Sequence, residues 1–89
     1  MDGLIEGRMV HYVEPDTVER VVAFGVPSEV VPNPDAGHHE AAIVTGIDDA
    51  ERGVCTLFAF RHDGRPFFLA GVAHSEAKEG GTWHWIERA

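Results

Sequence analysis

Six histidines are the residues of this chain best suited to chemistry: His11, His38, His39, His62, His74 and His84. Imidazole can ligate a metal, move a proton or stack on a ring. The only dense group is His38-His39-Glu40, and side chains of adjacent residues on an extended chain point to opposite sides. A shared ion would therefore have to recruit His74 or His84 from elsewhere in the fold. Zinc demands preset geometry, so solvated histidines at a loop end are the expected reading, and no metal or other cofactor is expected.

Catalytic sets are equally sparse. Ser75 follows His74, but without the glycines of a nucleophile elbow. Cys55 lies in an apolar run, as an inert buried thiol would. Asp48-Asp49 falls in a turn, where carboxylates cap backbone groups. Gly80-Gly81 lacks the lysine and hydroxyl residue of a phosphate loop. Catalysis needs groups converging in a water-excluding cleft, so a non-enzymatic protein is expected.

Aromatic and arginine residues are the remaining candidates. Trp83 and Trp85 flank His84 and should project from one face of a strand, with His84 on the other. Partly exposed indoles anchor protein partners or stack bases. A ligand- or partner-binding set of Tyr12, Trp83, His84 and Trp85 is expected, with Arg8, Arg61 or Arg65 neutralising phosphate. The competing expectation is a core plug, and it is the safer one for one of the two tryptophans.

The elements that must carry these side chains are short strands. Arg8 to Val13 alternates, with Met9, His11 and Val13 on one face. Thr17 to Val26 is ambiguous between a short helix and a strand or irregular excursion, and its valines favour the latter. Pro27 to His39 carries loop chemistry. Strands follow at Glu40 to Ile47, Val54 to Phe60, Phe67 to Ala73 and Thr82 to Ile86. Asp63-Gly64 marks a hairpin between the strands Val54 to Phe60 and Phe67 to Ala73. Such spacing predicts an all-β fold, a small five-stranded antiparallel SH3-like barrel. The whole chain, 1–89, is expected to form this single domain.

Charge and composition limit the partners. Seven basic and fifteen acidic residues give a net charge of −8, which repels duplex nucleic acid. One cysteine excludes an intramolecular disulfide and suits a reducing compartment. The start lacks the basic-then-apolar pattern of a secretory signal, and no apolar run reaches spanning length, so neither export nor a membrane partner is expected.

Together, Gly7-Arg8-Met9-Val10-His11-Tyr12-Val13, Ala41-Ala42-Ile43-Val44-Thr45, Leu57-Phe58-Ala59-Phe60 and Gly81-Thr82-Trp83-His84-Trp85 resemble a family of small proteins encoded by bacteriophages and prophages. Ile86 stands where the family usually has proline. The resemblance implies a viral setting more than a mechanism. It suggests a counter-defence protein in the host cytoplasm that sequesters a small nucleotide signal or a host protein. The alternative is a structural virion component, for capsid decoration or in the head or tail. Either role suits a homo-oligomer.

Overall fold

The computed structural model describes residues 1–20 and 28–86. Its strands are β1 (Met9–Val13), β2 (Thr17–Arg20), β3 (Glu29–Pro32), β4 (His39–Asp49), β5 (Val54–Phe60), β6 (Pro66–Val72) and β7 (Trp83–His84). Five form an antiparallel sheet in the order β6-β5-β4-β1-β7, and β2 pairs with β3 in a separate ribbon. There is no helix among the described residues. The all-β, antiparallel expectation holds. The closed barrel does not: β6 and β7 do not pair with each other, although Trp83 donates its amide to Ala73 O at 3.0 Å and accepts from the Ser75 amide at 2.9 Å, in the segment that follows β6.

Alternation decides which side chains enter the core. Val10 and Tyr12 of β1, Ala42 and Val44 of β4, and Cys55, Leu57 and Ala59 of β5 are buried on one face. Trp83 lies among them, and Leu4 and Val72 complete the cluster. Register shifts between Val44 and Gly46 and between Ile47 and Asp49 mark irregularities in β4. Bulges of this kind bend a strand and raise its twist, which lets a single sheet wrap its own core.

Turn chemistry explains the hairpins. The Asp49 carboxylate accepts the amides of Glu51 and Arg52, both at 3.1 Å, and Gly53 then takes the left-handed backbone conformation, φ +71°. At the next turn Asp63 accepts the amide of Arg65, and Gly64 supplies φ +89°.

Two expectations need correction. The stretch Pro27 to His39 is not all loop, because β3 forms at Glu29–Pro32 against β2. Its paired valines favour extended backbone, and Pro32 is tolerated because a two-stranded ribbon is all edge. The ambiguous Thr17 to Val26 stretch contributes β2, while residues 21–27 lie outside the described ones. The closing strand is also shorter than expected, at Trp83–His84. Gly81 and Thr82 still bind β1: Gly81 donates its amide to Val13 O at 2.8 Å, and Val13 donates to Thr82 O at 2.9 Å.

Candidate functional site

The sheet has a second face, and its occupants follow from the same alternation. His11 pairs with His84 across β1 and β7, and Val13 pairs with His39 across β1 and β4. These registers put His11, His39 and His84 on the side opposite Tyr12 and Trp83. One nitrogen from each of the three rings lies within 4.8 Å of the others. Ring centroids are 4.8 Å apart for His39 and His84 and 5.6 Å for His11 and His84. His84 is buried, His11 is half-buried and His39 is exposed. Burial, then the charge of His39, lowers the pKa of His11 below the usual histidine value. Burial lowers that of His84 too, followed by the charges of His39, His11 and Lys78.

His38 points the other way. It joins His62, ring to ring at 5.8 Å, and its Nδ1 is 3.7 Å from the Asp35 carboxylate. Beside His38 and His62 is a pocket of about 310 Å³, which His39 and Glu40 also line. Sequence reading recognised that His38 and His39 must diverge. It missed that each side would meet further ligating groups, because those come from distant strands.

Farther along the outer face is an aromatic group. The rings of Phe58 and Phe60 are 4.9 Å apart, and those of Phe58 and Phe68 4.8 Å. Phe68 is 76% exposed. Register joins the two regions, since Ile43 pairs with both Met9 and Phe58, and Phe58 with Phe68. No acidic, lysine or arginine residue occurs among Met9, His11, His39, Ala41, Ile43, Phe58, Phe60 and Phe68.

The expected binding set does not gather in one place. Tyr12 is buried and packs edge-on against Phe67 at 6.1 Å. Burial, then the carboxylates of Glu14 and Glu40, pushes its phenol up to about 12. Trp83 is also fully buried, with its indole N–H donated to Gly53 O at 2.7 Å. These two cannot stack an incoming base without unpacking the core. Trp85 is half-buried, 5.0 Å from Trp83, and the Arg8 guanidinium sits 5.3 Å from its ring. His84 lies across the sheet from both. Arg65 is engaged at the β5–β6 turn, 2.7 Å from Asp63.

Arg61 belongs to an internal polar network. Its Nε lies 3.5 Å from Glu14 and 3.6 Å from Asp35, and its guanidinium covers the Phe67 ring at 4.5 Å. Glu14 and Glu40 are only 2% and 3% exposed. Asn33 donates to Glu14 Oε2 and to Pro15 O, each at 2.9 Å, which anchors the far end of the β2–β3 ribbon. Glu40 is the strained member. Burial, then the Glu14 charge, raises its pKa from 4.5 to about 7. A proton on Glu40, donated to Glu14, relieves the repulsion and pairs one Glu40 oxygen with a Glu14 oxygen.

No protein-family model matches the chain, and no curated protein or solved structure matches it either.

Proposed function

We propose that this chain is a non-enzymatic binding protein that docks protein surfaces on the outer face of its sheet, with a second copy of itself as the first occupant. The observation carrying this reading is the Phe58, Phe60 and Phe68 group, with Phe68 standing 76% exposed and tilted against Phe58. Exposed aromatics that are already ordered lose little entropy on binding and make preferred anchors. Charge supports the choice of occupant. Copies carrying a net charge of −8 repel one another over most orientations, but the region from Met9 and Ile43 to Phe58 and Phe68 carries no carboxylate, the nearest being Asp48 beside Thr56 at its border. In the phage setting implied by the sequence resemblance, the assembled protein would bind a host protein as a counter-defence factor, or join a capsid or tail.

Sedimentation velocity of the wild-type chain and of Phe68→Asp tests the reading. A wild-type dimer that becomes a folded monomer on substitution is expected. A wild-type monomer at every attainable concentration, or a dimer indifferent to the change, would remove it.

One observation favours a second reading, capture of a small nucleotide. Arg8 and Trp85 are members of the expected binding set that do meet, as a cation over an indole face. A thermal-shift screen with cyclic nucleotides addresses it, since a bound ligand raises the melting point by mass action. Stabilisation abolished by Arg8→Ala supports capture. No shift with any nucleotide rejects it.

A further inference from the structure

We propose that His11, His39 and His84 bind one divalent ion of the late first-row kind, zinc foremost, and thereby tie β7 to the middle of the sheet. The ligands come from three adjacent strands, β4, β1 and β7, and are set by backbone pairing rather than by a loose loop. Imidazole nitrogens suit zinc, copper, nickel and cobalt(II), and three protein nitrogens with a fourth open position is a familiar zinc arrangement.

Distance supports the assignment. In a tetrahedral site with zinc–nitrogen bonds of about 2.0–2.1 Å, ligand nitrogens sit roughly 3.3 Å apart. The nitrogens here already lie within 4.8 Å of one another. The remaining contraction is small enough for side-chain rotation. His39 can supply most of it, being exposed at the first residue of β4 while His84 is held in the interior. His39 is exposed, so solvent reaches the group at its side chain.

The site has a structural use. β7 contributes two residues to the sheet, and its named register with β1 consists of two pairs. Backbone bonds to Val13 on one side and to Ala73 and Ser75 on the other hold this short strand, and a shared ion would add a side-chain link that reaches across β1 to β4. Binding to the folded state alone adds directly to its stability. The competing group of Asp35, His38 and His62 is less suited. His38 and His62 are both exposed, and the Asp35 carboxylate is shared with Arg61 at 3.6 Å.

The test uses the full chain without a polyhistidine tag. Cobalt(II) serves as the spectroscopic probe, through the visible absorption of its tetrahedral complexes, and zinc as the stabilising ion. One equivalent of cobalt should produce the visible band, and saturating zinc should raise the melting temperature by roughly several degrees. His39→Ala, an exposed position, should fold normally and lose both effects. A double variant, His38→Ala with His62→Ala, should keep both. The proposal fails if the wild type shows neither band nor zinc stabilisation. It fails equally if His39→Ala retains them, or if the His38 and His62 double variant abolishes them.

Discussion

Trp83 donates its indole N–H to the carbonyl oxygen of Gly53 at 2.7 Å, joining the closing strand to the turn between β4 and β5. The bond is buried, and the ring fills the centre of the core. Trp83→Ala would remove both the packing and the donor, at a cost of roughly 3–5 kcal/mol. That is a large part of the whole stability of a chain this size. Trp85→Ala, at a half-buried position, should cost clearly less. Urea denaturation of both variants checks the order, and equal losses would contradict the plug assignment of Trp83.

The carboxyl pair predicts a pH dependence of stability. Glu40 holds its proton to about pH 7 when folded, against an ordinary value of 4.5. Its stabilising contribution is therefore complete below 4.5 and is lost as pH rises through about 7. Glu40→Gln keeps a neutral donor at all pH values. At pH 8 it should exceed the wild type by roughly 1–3 kcal/mol, with the advantage shrinking toward pH 5. Urea titrations of both proteins at the two pH values measure this. A constant difference would show that the Glu40 proton is not involved.

Gly80 sits where the chain returns to β1. A Cβ there would lie 2.9 Å from Pro15 Cα and 3.4 Å from Glu14 O, so backbone must move. Gly80→Ala should cost roughly 1–3 kcal/mol through this overpacking. Gly46→Ala is the control, because its Cβ would meet only Thr56 Cβ at an ordinary 3.8 Å. A thermal melt of each variant distinguishes them, with a clear drop expected for Gly80→Ala alone.

Cys55 should resist thiol reagents. It is fully buried, and burial, then the Asp48 charge, pushes its thiol up to about 11. Alkylation of the native protein at pH 8 should be slow and should become rapid in denaturant. Rapid native labelling would mean that the core opens far more often than its packing implies.

The parts of this fold visible from sequence were those set by neighbours along the chain. The apolar run from Val54 to Phe60 and the Asp63-Gly64 turn specify a hairpin locally, and both form. Alternation also separated His38 from His39, and Trp83 from His84. What it could not supply was strand order. His11, His39 and His84 meet because β1 lies between β4 and β7, a consequence of long-range pairing. The Glu14 and Glu40 pair was hidden for the same reason: Glu14 closes one strand and Glu40 opens another. The β5–β6 register turns Phe68 outward beside Phe58, which the apolar run Phe67-Phe68-Leu69 does not reveal.

The strand order also sets an order of assembly. β4, β5 and β6 are consecutive hairpins whose pairing closes short loops, whereas β1 must find β4 across the β2–β3 ribbon, and β7 must find β1 across nearly the whole chain. Loop-closure entropy favours the hairpins first and the β1–β7 contact last. His39 is thus carried by the early-forming part of the sheet, and His84 arrives with the late one. The three imidazoles come together only when the chain has finished folding, so their proximity marks the completed molecule.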